Sequence, residues 1–190
     1  MCANDNTVNI KKPAYHHGDL RRVLMAEGMR LLAERDAESL SLREVARAAG
    51  VSATSIYRHF PDKGALMAAL AREGLARLAL AQRAASEAAG GGEAGFAATG
   101  RAYVRFALAN PALFRLIFAS DALGGGAAAD CADTEAGAML RDNALAEAAR
   151  VGGDGDIRAV RAWALVHGLA MLMLDGRLPH DEALIDRAIG

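Results

Sequence analysis

The sequence has few of the residues that build disulfide frameworks, sheets or membrane spans. Its 190 residues include only two cysteines, Cys2 and Cys131, so structural disulfides are not expected and a redox-responsive thiol remains an alternative. Its longest apolar run, AWALVHGLAMLML, has 13 residues and contains a histidine, whereas a membrane span needs about 18. The N-terminal segment MCANDNTVNIKK has no apolar stretch of the kind that a secretory signal carries. These absences predict a cytoplasmic protein with no membrane partner.

Helix-forming residues dominate what is present. Aromatic residues make up only 5% of the chain and there are 4 prolines, while Ala, Leu, Arg and Glu are abundant, which favours helix over strand. Apolar residues recur at helical spacing, and Gly, Pro and Asp mark the breaks between segments. The pattern predicts an all-α fold of about nine helices, over residues 18–35, 42–48, 53–59, 62–89, 95–109, 111–119, 134–150, 156–175 and 181–189.

Motifs that could indicate a cofactor, a metal or catalysis lack the neighbouring elements or residues that such sites require. Gly90, Gly92 and Gly95 match the GxGxxG spacing of dinucleotide-binding loops, but such a loop follows a strand and here a helix precedes it. The DGD run at 154–156 lacks the later glutamate of a calcium loop and is expected to cap the next helix. No nucleophile or phosphate loop accompanies the histidines. We therefore expect no cofactor, no metal and no enzymatic activity.

Positive charge is concentrated in the first part of the chain. Residues 1–72 contain 11 Lys or Arg against 8 Asp or Glu, a net charge of +3, whereas residues 73–190 contain 11 against 15, a net charge of −4. The basic part includes SIYRHFPDKG, Ser55 to Gly64, which is unusually rich in rings and cations for this sequence. Such a cluster is typical of a nucleic-acid contact surface.

Two short helices joined by a tight turn predict a helix-turn-helix around this cluster. Ser41 and Glu44 have the spacing of a capping box for the first helix, and Ser52 can cap the second. Ala46 leaves room for the helix crossing, Gly50 suits the turn, and Ile56 fills the angle between the helices. An ordinary helical hairpin would explain the apolar positions but not the exposed donors.

The second short helix presents a row of residues that can reach DNA. Because Ile56 and Phe60 face inward, the side chains that face outward, toward base edges in a major groove, are those of Ala53, Thr54, Tyr57 and Arg58. Ser55, His59 and Lys63 can donate hydrogen bonds to phosphates, as can backbone amides at the start of the next helix.

These residues resemble a known family. The segment SLREVARAAGVSATSIYRHFPDKGAL is similar to the DNA-binding segment of the TetR family of bacterial transcriptional regulators, and YHHGDLRRVLMAEGMRLLAE resembles the family's first helix. The resemblance covers roughly residues 15–72. In the C-terminal half, Trp163, His167 and Gly168 resemble the Trp, His-Gly signature of one subgroup.

The resemblance implies a homodimer that binds an operator in double-stranded DNA and responds to a small-molecule inducer. It implies a flexible arm over 1–14, a three-helix helix-turn-helix DNA-binding domain over 15–62, and a helical ligand-binding and dimerisation domain over 63–190. By register it makes Arg43, Thr54 and Tyr57 candidates for base contacts. The complete set expected to contact DNA is Lys11, Lys12, Ser41, Arg43, Ser52, Ala53, Thr54, Ser55, Tyr57, Arg58, His59 and Lys63. Ala53 departs from relatives that carry a polar side chain there, so its contact would be limited to a thymine methyl.

Aromatic residues of the C-terminal half predict where a ligand binds. The residues expected to line a largely apolar pocket are Phe96, Tyr103, Phe106, Phe114, Phe118, Met139, Trp163 and His167. The alternative is that most of them are ordinary core, with His167 hydrogen-bonded inside it.

Helix 156–175 is apolar around nearly its whole circumference, so we expect one face to meet the core and the other to meet a partner subunit, with helix 181–189 beside it. Val166, Leu169 and Met173 are the first candidates for the interface. Alternatives to an inducible repressor are a regulator without a ligand, a redox-responsive regulator, and a helical interaction module that does not bind specific DNA.

Overall fold

The computed structural model describes residues 17–119 and 154–190, together with Ala149. Within this part the chain forms helices and no strand, which confirms the all-α prediction. The helices are α1 (His17–Glu34), α2 (Leu42–Ala48), α3 (Ala53–Tyr57), α4 (Lys63–Ala88), α5 (Gly92–Ala109), α6 (Pro111–Phe118), α7 (Gly155–Leu174) and α8 (Glu182–Ile189), with a 3₁₀ turn at Ala37–Ser39. The helix expected over 134–150 lies outside the described residues except for Ala149, as do Lys11, Lys12, Met139 and both cysteines.

Short polar side chains start the helices where the sequence places them. The Ser41 hydroxyl accepts a hydrogen bond from the Glu44 amide, and the Glu44 carboxylate accepts one from the Ser41 amide, so the predicted capping box is present. Ser52 caps α3, and Asp154 caps α7 as expected. Asp62 caps α4. Each cap satisfies amides that the first turn of a helix leaves without a partner.

Two helix boundaries differ from the prediction by more than one residue. Helix α3 ends at Tyr57 because the amides of His59 and Phe60 both donate to the Ile56 carbonyl, which tightens the last turn. Helix α5 begins at Gly92, three residues earlier than expected. The turn before it has φ of 79°, 72° and 59° at Gly90, Gly91 and Gly92, conformations that favour glycine. Of the glycines in the GxGxxG match, Gly90 therefore lies in the turn between two helices, and Gly92 and Gly95 belong to α5.

The buried apolar residues form two clusters that share the helices α4 and α6. The first cluster joins α1, α2 and α3 to the first half of α4 and to Leu113, Leu116 and Ile117 of α6. The second joins α5, α7 and α8 to Leu78 of α4 and Phe114 of α6. Helix α6 thus presents one face to each cluster and connects the helix-turn-helix to the C-terminal helices.

Helix α7 has one buried face and one exposed apolar face in the single chain. Val166, Leu169 and Met173, the first candidates for a subunit interface, are buried in the second cluster and are therefore core residues of the subunit itself. The large apolar residues that α7 exposes are Ile157, Val160, Leu165 and Leu172. Within the described ranges, α7 is also the one helix long and apolar enough to cross a membrane by length and composition, which the 13-residue apolar run did not predict.

Candidate nucleic-acid interface and aromatic cluster

The helix-turn-helix has the packing that the sequence predicts. Ala46 and Ile56 are buried at the crossing of α2 and α3. Gly50 has a φ of 69°, and the Val51 amide donates to the Ala46 carbonyl at 2.9 Å, which closes the turn after α2. Phe60 is buried in the same cluster, so Ile56 and Phe60 together fix the C-terminal part of α3 against the first core.

The residues expected to meet base edges are on the surface. Arg43 of α2 and the α3 residues Ala53, Thr54 and Tyr57 are exposed, as is Arg58 directly after α3. Tyr57 keeps 46% of its surface exposed although aromatic residues are scarce in this chain. An exposed ring between exposed polar groups is typical of a surface that contacts a groove of DNA.

Several of the residues expected to contact phosphates already have partners within the chain. The Ser41 hydroxyl donates to the Glu44 carboxylate at 2.8 Å, and the hydroxyls of Ser52 and Ser55 lie 2.9 Å apart. The Lys63 ammonium donates to the Glu38 carbonyl, and ammonium groups have three donors, so two remain for a phosphate. His59 is half-buried. Lys63 therefore keeps hydrogen-bond donors that the Ser41 hydroxyl, with its single proton used, does not.

Two arginines support this surface, and the sequence pattern did not identify them. Arg35 donates to the Glu44 carboxylate at 2.9 Å, and the guanidinium of Arg21 lies 5.3 Å from the centre of the Phe60 ring. The hydrogen bond from Ser41, followed by that from Arg35, lowers the pKa of the Glu44 carboxyl. No short sequence pattern marks either arginine, because its partner lies nine or more residues away in the sequence.

Tyr103 and His167 form the polar centre of an aromatic cluster in the second core. The Tyr103 hydroxyl and Nδ1 of His167 are 2.9 Å apart, across 64 residues of sequence. Ring centres of Phe118 and Trp163 lie 4.8 and 5.7 Å from that of His167. Phe114 packs edge-on against Tyr103 at 5.4 Å. Five of the eight residues expected to line a ligand pocket are therefore brought together.

The other three of those eight residues are not among the rings that contact one another in this cluster. Phe106 is half-buried and packs against both apolar clusters. Phe96 is half-buried on α5, seven residues before Tyr103, and makes no ring contact within the described part of the chain. Met139 lies outside the described residues.

Burial affects the chemistry of His167. The half-buried ring lies among apolar and aromatic groups, and this desolvation lowers the pKa of His167 because it disfavours the charged form. A neutral imidazole both donates and accepts, so the ring can bond Tyr103 through Nδ1 and keep Nε2 for another partner.

A buried polar pair beside this cluster was also missed by the sequence pattern. Gln82 of α4 and Thr99 of α5 are buried, and the Gln82 amide donates to the Thr99 carbonyl at 3.4 Å. The Gln82 Oε1 atom makes no hydrogen bond within the described structure. A buried acceptor of this kind is costly unless another group reaches it.

Comparisons with known proteins agree with this architecture. Residues 24–70 match the family of bacterial regulatory proteins called the tetR family, and residues 96–189 match the tetracyclin repressor-like C-terminal domain. A protein of unknown function from Rhodococcus sp. RHA1 is similar at 37% identity and a TM-score of 0.76, over 94% of this chain and 93% of that one.

Two further solved structures show the same fold at lower identity. A TetR family transcription regulator from Marinobacter aquaeolei VT8 is 20% identical with a TM-score of 0.66, over 90% of this chain and 91% of that one. A bacterial regulatory protein of the tetR family from Rhodococcus RHA1 is 18% identical with a TM-score of 0.59, over 90% and 97%. The helix-turn-helix, the C-terminal helical core and the matches over both halves establish that this chain belongs to the TetR family of DNA-binding transcription regulators.

Proposed function

We propose that this chain is a cytoplasmic repressor that binds an inverted-repeat operator as a homodimer and leaves it when a small molecule binds. The observation that carries the proposal is α3, whose inner side is fixed by Ile56 and whose outer side exposes Thr54 and Tyr57. A two-fold dimer would present two such helices to half-sites about one DNA turn, roughly 34 Å, apart.

The exposed residues divide into two roles. Arg43, Thr54, Tyr57 and Arg58 are proposed to read bases, and Ala53 to touch a thymine methyl. Lys63 is proposed to hold a phosphate at the start of α4, supported by Ser52, Ser55 and His59. Lys11 and Lys12 would form an arm, and Ser41 contributes mainly by capping α2.

Mutations at Lys63 and Thr54 test this division. Lys63→Ala removes a charge that would contact the phosphate backbone of any DNA sequence, so we expect weaker binding to all sequences. The salt slope, which is the slope of log affinity against log salt concentration, should decrease in magnitude by about one. Thr54→Ala should change which bases are preferred at one position, at a cost of about 1 kcal/mol or more, and leave the salt slope unchanged. Sequence selection from a random DNA pool gives the preference, and titrations at several salt concentrations give the slope.

Arg72→Ala is a matched control, because Arg72 is an exposed cation on the same helix as Lys63, nine residues further on. It should leave both the preference and the salt slope close to those of the parent. Equal effects of Thr54→Ala and Lys63→Ala on the base preference would contradict the proposed roles.

Dimerisation is proposed to use the face of α7 that the single chain leaves uncovered, with α8 beside it. Ile157, Val160, Leu165 and Leu172 are 46–59% exposed, and all four are large apolar residues on one helix. Exposed apolar residues in one contiguous patch are typical of a subunit interface.

The ligand is proposed to bind at the aromatic cluster, and α6 gives a route from there to DNA. Phe114 and Phe118 of α6 face the cluster, while Leu113 and Ile117 on the same helix pack in the first core. A ligand that moves α6 would therefore shift α4 and the spacing of the two reading helices. A coupling of about 1–3 kcal/mol would weaken operator binding roughly 5- to 150-fold, with the same effect of DNA on the ligand.

A thermal-shift screen of the purified protein against metabolites and antibiotics tests the ligand proposal. Each compound that stabilises the protein is retested for release of the selected operator. We expect His167→Ala to weaken both effects together. A compound that needs His167 for binding but leaves operator affinity unchanged would contradict the coupling.

A further inference from the structure

A cavity that is partly open to solvent lies between α1 and α4, and none of its lining residues belongs to the aromatic cluster. It has a volume of about 340 Å³ and is lined by Arg21, Arg22, Met25, Ala26 and Met29 of α1 and by Glu73 and Arg77 of α4. The α1 residues have the spacing of a single helical face, so one helix supplies one whole wall. The volume is at the lower end of the range for small-molecule sites.

The walls of this cavity combine positive charge with an apolar floor. Three arginines against one glutamate give a formal charge of +2, although the chain as a whole carries −1. Met25 and Met29 are half-buried and offer flexible apolar surface between the charged walls. Arginine guanidinium groups suit phosphate and carboxylate groups, because they donate two parallel hydrogen bonds.

The arginines are partly positioned by contacts within the chain. Arg77 donates to Glu73 at 3.0 Å one turn away, and Arg21 lies over the Phe60 ring. Both contacts leave further guanidinium donors available, since each guanidinium has five.

We propose that this α1–α4 cavity binds a small organic anion that carries a phosphate or carboxylate group and a short apolar body. The anion would contact the arginines of both helices, and the apolar body would lie on Met25 and Met29. Helix α1 belongs to the core of the helix-turn-helix, and α4 continues to Leu78 in the second cluster, so the bound anion would contact one helix of the DNA-binding unit and one helix that connects this unit to the C-terminal core.

The position on α4 favours a free anion over the DNA backbone. Arg77 is fourteen residues beyond Lys63, which corresponds to about 21 Å along the helix axis. A phosphate held at Lys63 therefore does not extend to the Arg77 wall.

Titrations of the full-length protein with phenyl phosphate, inorganic phosphate and phenol test this site. We expect phenyl phosphate to bind more tightly than either of the others, because only it has both the charge and the apolar body. Isothermal calorimetry at low ionic strength gives affinity and stoichiometry, with one site per chain expected.

Two variants that break the same ion pair distinguish the effect of charge on binding from the effect of losing the ion pair itself. Arg77→Gln should weaken phenyl phosphate binding about three- to fivefold, and Glu73→Gln should strengthen it by a similar factor, which is the size of an exposed charge contact. Arg72→Gln, a matched loss of charge on α4 outside the cavity lining, should leave the affinity unchanged.

Opposite effects of Arg77→Gln and Glu73→Gln would support the site. Effects in the same direction, an equal loss in Arg72→Gln, or equally tight binding of phenol would overturn it. A reduced salt slope of DNA binding in Arg77→Gln would assign the cavity to a DNA phosphate and would also overturn it. The phenyl phosphate titrations use neither the operator nor the aromatic cluster, so their failure leaves the proposed repressor function standing.

Discussion

His167 shows how the surroundings of one residue set its chemistry. In the sequence it is a histidine within an apolar run, and in the structure it contacts Tyr103 by a hydrogen bond and three other rings by packing. No charged side chain contributes to the lowering of its pKa, which comes from burial alone. The residue is therefore a neutral hydrogen-bonding group inside an aromatic cluster.

This lowered pKa predicts a loss of stability in mild acid. The unfolded chain takes up a proton at His167 near its ordinary pKa of 6.5, which the folded chain resists, so the contribution is complete above that pH and falls as the pH drops. His167→Asn keeps a group that can bond Tyr103 but cannot titrate. Thermal unfolding at about pH 7.5 and about pH 5 should show a smaller loss of Tm for the variant than for the parent. An equal loss in both proteins would contradict this role for burial.

At the scale of elements, the contact between α4 and α6 depends on the absence of a side chain. A Cβ atom at Gly74 would lie 2.8 Å from both Leu113 and Ile117, closer than such atoms approach. Gly74 is buried in the middle of a 26-residue helix, where glycine is otherwise unfavourable. The close approach of the two helices explains why glycine is present there.

Gly74→Ala should therefore destabilise the protein although alanine is the better helix former. We expect a loss of about 1–3 kcal/mol from overpacking, which exceeds the gain of about 0.5–1 kcal/mol in helix propensity. Denaturant unfolding measures the difference. Gly64→Ala is the control on the same helix, since Gly64 is exposed and its Cβ would meet only the Asp62 carboxylate. A more stable Gly74→Ala variant would show that α4 and α6 are not held at this distance.

At the scale of the whole molecule, the two faces of α7 predict opposite results for the same substitution. Val160 is 59% exposed, so Val160→Glu should give a folded monomer if that face joins the subunits. Leu169 is buried in the second core, so Leu169→Glu should cost about 3 kcal/mol or more because it buries an unpaired charge. Light scattering gives the mass, and circular dichroism gives the folded fraction.

Leu80→Glu is the matched control, because Leu80 of α4 is 62% exposed and lies outside α7 and α8. It should remain both folded and dimeric. A dimer that survives Val160→Glu and Leu172→Glu would place the subunit interface elsewhere.

The local structure was predictable because the signals that determine it lie within a few residues of each other. The capping box at Ser41 and Glu44, the cap at Ser52 and the positive φ at Gly50 each depend on neighbours one turn away or on the residue's own backbone. Helix boundaries were less predictable where the final hydrogen bonds decide them. The C-terminal end of α3 and the start of α5 are examples, since the amides of His59 and Phe60 bond to Ile56, and the Gly91 amide bonds to Ser86 in the preceding helix.

The sequence by itself determined the helical class, the order of the helices and the residues that α3 turns outward, because helical periodicity and caps act over short distances. Only the tertiary structure decided which face of α7 is core, that Tyr103 bonds His167, and that α1 and α4 form an arginine-lined cavity that is partly open to solvent. These features join residues many positions apart, and an apolar or charged side chain carries no local mark of its distant partner. Tertiary packing therefore determines which of several similar helix surfaces becomes buried and which residues become partners.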